Sequence, residues 1–281
     1  MRKFDPGLLL LLTLASLLAL ADDSETQALQ LTGEWLPGAM LIGRTVPGTR
    51  VYFESRELKV DAAGRFVVGL DRDAGGSVSL TLENGNDKRT HHYTVAKREY
   101  DIQRIEGVPQ ETVTPPKEVL ARIEKETAMV NRARATSADR GDFYRGFIKP
   151  LEGIITGVYG SQRVYNGVPK RPHFGLDIAG PVGAPVRAPA AGVVKLAHPD
   201  MYFSGGTLII DHGYGISTTF IHLSEVLVEE GAVVEQGQEV ALVGASGRAT
   251  GPHLDWRMNW YHVRLDPALV LKHFPLLHAA P

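Results

Sequence analysis

The chain has 281 residues, 43% hydrophobic and 22% charged, an ordinary globular composition with length enough for two domains. A net charge of −2 makes no case for nucleic-acid binding. The absence of cysteine excludes disulfides, a thiolate zinc site and a lipid-modified cysteine.

The N-terminus reads as a targeting signal. Arg2 and Lys3 precede an uncharged apolar run over 8–20, too short to span a bilayer comfortably, and Ala19-Leu20-Ala21 fits a small-x-small cleavage site. Residues 1–21 are expected to be removed and the remainder exported. Membrane contact is expected only through that signal.

Residues 22–110 alternate short strand-like runs with turn residues. Runs at 50–53, 65–68, 77–82 and 91–95 are separated by Pro47-Gly48, Ala63-Gly64, Gly75-Gly76 and Asn84-Gly85. That spacing predicts a small, Ig-like β-sandwich. His91 and His92 are adjacent on a strand and face opposite ways, so they do not make a metal pair. Residues 111–146 read as a helix and connector. Thr114 suits a cap, Pro115-Pro116 suit a first turn, and the helix runs to about Arg134 with Val119, Leu120, Ile123, Thr127 and Val130 inward. Its charges, and those of the following connector, read as a solvated face. Residues 147–267 return to strands at 185–195, 206–211, 215–223, 239–243 and 253–260, joined by short glycine turns. The expected architecture is mainly β: a sandwich, a linker helix, a compact antiparallel sheet domain, and a tail over 268–281.

The chemistry concentrates in this last domain. In Arg171-Pro-His-Phe-Gly-Leu-Asp-Ile-Ala-Gly180, alternation puts His173, Gly175 and Asp177 on one side and Phe174, Leu176 and Ile178 on the other. Fully extended, His173 and Asp177 would stand about 13 Å apart, too far to share an ion. The chain must bend between them, and Gly175 permits that. His262 and Asp266 have the same spacing, but Arg264 lies between them and Pro267 follows, so they read as fortuitous. His253, Asp255 and Arg257 line one face of a strand with Leu254, Trp256 and Met258 on the other. His222 lies near the end of another strand, with Ile221 and Leu223 expected to face away. Asp211-His212-Gly213 reads as turn residues.

Six stretches in order resemble the lysostaphin/LytM-type zinc peptidases of bacterial cell walls. They are Tyr159-Gly-Ser-Gln-Arg163, His173-Phe-Gly-Leu-Asp177, Val186-Arg-Ala-Pro-Ala-Ala-Gly-Val-Val194, Ile210-Asp-His-Gly213, Ile221-His-Leu-Ser224 and Gly247-Arg-Ala-Thr-Gly-Pro-His-Leu-Asp255. The resemblance covers residues 147–267 and implies a zinc endopeptidase that hydrolyses peptide cross-links of peptidoglycan, in a periplasmic setting. It implies one zinc per chain on His173 and Asp177, with His222 and His253 as the catalytic pair, general base and oxyanion stabiliser. Arg163 is a candidate contact for a carboxylate of the peptide stem.

The family's third ligand is the second histidine of a His-x-His, and here that position is Asp255. Two readings stay open. A carboxylate is a legitimate zinc ligand, and one His with two Asp would also suit harder ions such as Mn²⁺. Alternatively the domain is a degenerate, non-catalytic relative that binds peptidoglycan and activates a cell-wall amidase partner. A carrier role at Lys195 is disfavoured, because the biotinyl-type hairpin it would need carries its lysine at an exposed turn.

Overall fold

The computed structural model describes residues 29–105, 117–165 and 167–276. The signal segment and the expected cap at Thr114 to Pro116 lie outside these residues. Eight strands form the N-terminal part: β1 (Gln30–Thr32), β2 (Met40–Arg44), β3 (Arg50–Phe53), β4 (Arg56–Glu57), β5 (Arg65–Gly69), β6 (Gly76–Asn84), β7 (Asp87–Val95) and β8 (Ile102–Ile105). They make two antiparallel sheets, ordered β1-β2-β5 and β4-β3-β6-β7, while β8 leaves to pair elsewhere. Met40, Leu41, Phe66 and Val68 from one sheet share a core with Val51, Leu80 and Leu82 from the other. The opposite face of the β6–β7 hairpin is wet, where Thr81 and Thr90 hydrogen-bond across the strands at 2.9 Å.

A 3-10 turn, Lys117–Val119, leads into α1 (Leu120–Ala135). The inward stripe differs from expectation. Leu120 is 49% exposed, while Glu126, Ala133 and Arg134 are buried. The helix rests on a partly polar surface. Met129, Val130 and Ala133 meet Leu196, Met201 and Ile209, while Glu126 accepts the Tyr202 N–H at 2.9 Å. The connector is not a solvated face either: Phe143 is fully buried and the Ala138 N–H donates to Asp211.

Twelve further strands follow: β9 (Ile155–Gly157), β10 (Gln162–Tyr165), β11 (Val168–Pro169), β12 (Leu176–Ala179), β13 (Pro185–Arg187), β14 (Gly192–Met201), β15 (Gly205–Gly213), β16 (Ile216–Val226), β17 (Val233–Val234), β18 (Glu239–Val243), β19 (His253–Trp260) and β20 (Val263–Leu265). Ten of them form one antiparallel sheet with the path β17-β14-β15-β16-β19-β12-β9; β13, β18 and β20 attach beside it. The single run expected over 185–195 is two strands, interrupted at Pro189, which has no N–H to give a ladder. Asp211 and His212 are ladder residues rather than turn residues, the turn being Tyr214-Gly215. His212 is fully buried, with Nδ1 against the Ala191 carbonyl at 2.8 Å and Nε2 against Thr218 Oγ1 at 2.9 Å.

The expected tail is helical over α2 (Pro267–His273), with Asp266 capping the Ala268 N–H. That cap explains Asp266, and His262 sits in an exposed turn, so the second His-x-x-x-Asp pair is fortuitous as expected. The N-terminal sheets pack directly on this domain. A Cβ on Gly69 would stand 2.7 Å from the Trp260 side chain, Arg56 covers Trp260 and Tyr261, and Arg98 donates to Asp266 and to the Pro37 carbonyl. Strand β8 runs parallel beside β10, Ile102 opposite Gln162.

Candidate active site

Strands β12, β16 and β19 place the polar residues on one face of the large sheet. In register, Asp177 lies opposite Asp255, and Asp255 opposite Ile221. Leu254, Trp256 and Met258, the alternate residues of β19, are fully buried in the core. The pleat therefore points Asp255 and Arg257 away from the core.

The bend expected before Asp177 is present. Strand β12 starts only at Leu176, the chain bends at Gly175, and His173 turns back so that its Nε2 lies 3.2 Å from Asp177 Oδ1. Both atoms are buried and neither has a hydrogen-bond partner among the described residues. Two ligands of a tetrahedral zinc stand about 3.3 Å apart, given metal–ligand distances of about 2.0–2.1 Å. His173, Asp177 and Asp255 each offer one atom within 4.8 Å of the others. The donor set and the two unpartnered atoms fit a divalent metal ion.

Glycines make room for the carboxylates. A Cβ on Gly175 would stand 2.2 Å from Asp255 Oδ1, and one on Gly157 would stand 2.2 Å from Asp177 Oδ2. The sequence offered a reason for Gly175, though a different one; Gly157, on a neighbouring strand, carried no signal.

Asp255 is not free. Arg257 Nε donates to its Oδ1 at 2.9 Å, and Arg257 Nη2 donates to its Oδ2 at 2.6 Å. Burial alone would raise the carboxyl; the guanidinium outweighs it and holds the group down at about 2. Each carboxylate oxygen keeps a second lone pair, so ligation and the arginine pair are compatible. The approach of His173 Nδ1 to Asp255 Oδ2 is looser, at 4.0 Å.

The two histidines meet at 5.0 Å between ring centroids. His222 Nδ1 lies 2.8 Å from the Ser246 carbonyl, and His253 Nδ1 lies 2.8 Å from the Gly251 carbonyl. A carbonyl only accepts, so each Nδ1 carries a proton and each neutral ring keeps its lone pair at Nε2. Burial lowers the His222 pKa and outweighs the hydrogen bond its Nδ1 donates to the Ser246 carbonyl, so burial keeps that ring neutral near pH 7.

His222 reaches the site by an irregularity that alternation misses. Gly206 pairs with Leu223 and Leu208 with Phe220, so Ile221 and His222 together oppose Thr207 alone. In this β-bulge His222 takes a left-handed φ of 66°. Ile221 therefore shares the Asp255 side of the sheet and only Leu223 faces the core. Ser246 fixes the bulge, its Oγ donating to the Leu223 carbonyl at 2.7 Å. Arg163 lies on β10 opposite Gln103; its side chain is outside the described residues.

Residues 171–267 match the profile of Peptidase family M23. The chain is 43% identical over 89 residues to the peptidoglycan DD-endopeptidase ShyB of Vibrio cholerae, covering 31% of this chain and 20% of that protein. It is 38% identical over 113 residues to ShyA of the same organism, covering 39% and 25%. The matched stretch thus spans a quarter or less of these relatives' lengths. A Pseudomonas aeruginosa crystal structure assigned to peptidase M23 aligns at a TM-score of 0.65 and 28% identity, over 86% of this chain and 97% of that one. The family match thus assigns a Peptidase M23 domain to residues 171–267, the stretch that holds His173, Asp177, His222, His253 and Asp255.

Proposed function

We propose that the chain is a metal-dependent endopeptidase that hydrolyses peptide cross-links of bacterial peptidoglycan, in the periplasm after export by residues 1–21. The observation that carries this reading is the pair of buried ligand atoms on His173 and Asp177, 3.2 Å apart and without hydrogen-bond partners, beside the paired rings of His222 and His253. The ShyB and ShyA relatives, named as peptidoglycan DD-endopeptidases, supply the substrate class.

His173, Asp177 and Asp255 would hold the ion, zinc by the family and Mn²⁺ by the added carboxylate. A bound divalent ion supplies Lewis-acid chemistry, acidifying water and polarising a carbonyl. The protein's own groups do the rest. His222, held neutral, takes the proton of the attacking water at Nε2. His253 donates from Nε2 to the oxyanion as it develops. Its Nδ1 already donates to the Gly251 carbonyl, which fixes the ring with Nε2 toward the site. Arg257 keeps Asp255 ionised and fixes its rotamer.

The experiment is digestion of purified cross-linked peptidoglycan dimers, followed by chromatography. Conversion to monomers that stops with a chelator and is absent in His173→Ala supports the reading. Hydrolysis that continues in chelator sinks it. The amidase-activator alternative is not favoured, since the ligand and histidine set is complete; it would return only if the chain bound no metal and cut nothing.

A further inference from the structure

Asp177, His253 and Asp255 are paired in the ladders of the large sheet, and His222, in the bulge of β16, is still tied within that domain by its N–H, which donates to the Ser204 carbonyl at 2.8 Å. His173 is different. It lies in irregular chain before β12, and its backbone hydrogen bonds run to one short loop: its N–H donates to the Ser161 carbonyl at 2.8 Å, and its carbonyl accepts the Gly160 N–H at 2.8 Å. The placement of the first ligand is therefore only as firm as residues 160–161.

That loop is gripped from the N-terminal part of the chain. Arg72 lies just after β5 and is 8% exposed; its Nε and Nη2 both donate to the Gly160 carbonyl, at 3.0 and 2.8 Å. Its Nη1 is anchored on Asp73 at 2.6 Å. Tyr100 closes the grip: its hydroxyl donates to the Arg72 carbonyl at 3.0 Å and its ring lies under the guanidinium at 4.3 Å. Gly160 takes a left-handed φ of 87°, and a Cβ there would stand 2.0 Å from the Tyr100 ring. The Asp101 carbonyl then accepts the Gln162 N–H at 2.9 Å, where the β8–β10 pairing begins.

We infer that Arg72 is a positioning residue for His173, acting through the Gly160 carbonyl, and that the N-terminal sheets are a working part of the metal site rather than an independent module. This rests on the reading of His173 as a ligand. A doubly hydrogen-bonded, buried guanidinium on a single carbonyl is a rigid support, and loss of such outer contacts typically weakens metal affinity about 10–100-fold.

The test uses the full chain with Arg72→Met, Arg72→Lys, Tyr100→Phe and His173→Ala, measuring zinc affinity by competition with a chromophoric chelator. Denaturant unfolding of each metal-free protein is measured in parallel. Arg72→Met is expected to weaken zinc binding at least about tenfold. Arg72→Lys, which can still donate one bond to Gly160, should recover part of that. Tyr100→Phe, which loses one hydroxyl bond, should cost about threefold. The cobalt(II) spectrum of Arg72→Met should also differ from that of the parent. If Arg72→Met lowers metal-free stability yet binds zinc as tightly as the parent, with an unchanged cobalt spectrum, Arg72 is merely structural and the inference fails. If Arg72→Met does not fold, Tyr100→Phe decides: weaker zinc binding supports the inference and unchanged binding overturns it. His173→Ala separates the two claims, because undiminished zinc binding in that variant would sink the ligand assignment itself.

Discussion

The sandwich hairpin and the large sheet are both antiparallel, yet they treat their second face differently. Strands β6 and β7 alternate between buried and exposed residues, so one face is dry and the other wet. Strand β15 is buried along its whole length, and β16 over its first eight residues. Helix α1 and the connector cover the second face, through Met129 and Ala133 on Ile209, Arg134 on Thr219 Oγ1 at 3.1 Å, and Ala138 on Asp211. Polar groups on that covered face have left water and need partners, while those on the hairpin do not. The difference teaches where chemistry can be installed: desolvated donors and carboxylates beside a sheet that fixes their spacing.

The largest expected effect tests the dry core face beneath the site. Trp256 is fully buried opposite Phe220 and Leu176, so Trp256→Ala should cost about 3–5 kcal/mol in denaturant unfolding. A cost below about 1 kcal/mol would mean the core can collapse around the void. Next is the site face. Gly157→Ala drives a methyl into Asp177 and should weaken metal affinity about 10–100-fold, read by chelator competition, with a smaller change in metal-free stability. Unchanged affinity would remove Asp177 from the ligand set.

The third carries the opposite sign. Arg134 is buried, its guanidinium has a depressed pKa from that burial, and among the described residues no carboxylate lies within ion-pair distance of it. Arg134→Met should therefore stabilise the metal-free chain, by about 1 kcal/mol. Destabilisation would mean the cation has a counter-ion in solution.

The last is a slope rather than a step. Burial lowers the His212 pKa below its ordinary value of 6.5, so the unfolded chain binds that proton more readily than the folded one. Its contribution to stability is fully present above pH 6.5 and is lost as pH falls through the depressed folded value. Urea midpoints at pH 7.5 and 5.5 should fall more for the parent than for His212→Asn. Equal falls would assign the acid limb elsewhere.

Much of this is legible in the sequence. Strands β3, β18 and β19 have the bounds expected from the sequence, β19 because apolar and polar residues trade places there without interruption, β3 and β18 because short runs rich in apolar residues stand between turn residues. His173, Asp177 and Asp255 could be singled out as ligand-type residues at a bend and on a polar strand face. What escaped were features that depend on the third dimension. His222 reaches the site through a bulge set by Ser246, over twenty residues away in sequence. Gly157 is empty space for a carboxylate on another strand. Arg257 looked like one more polar residue of β19, and only the rotamer shows it claiming both oxygens of Asp255. The stripe of α1 differs from its apolar periodicity because the helix docks on a partly polar surface, so Glu126 and Arg134 are among its buried residues and Leu120 is not. Arg72 carried no signal, since its partner is a backbone carbonyl.

The central claim is that His173, Asp177 and Asp255 hold a catalytic divalent ion, and elemental analysis of the purified chain tests it most directly, alongside His173→Ala and Asp255→Ala. The account predicts close to one zinc or manganese per parent chain, none in His173→Ala, and a reduced content in Asp255→Ala. A parent that takes up no metal after incubation with zinc or manganese, or full occupancy in both variants, would contradict it.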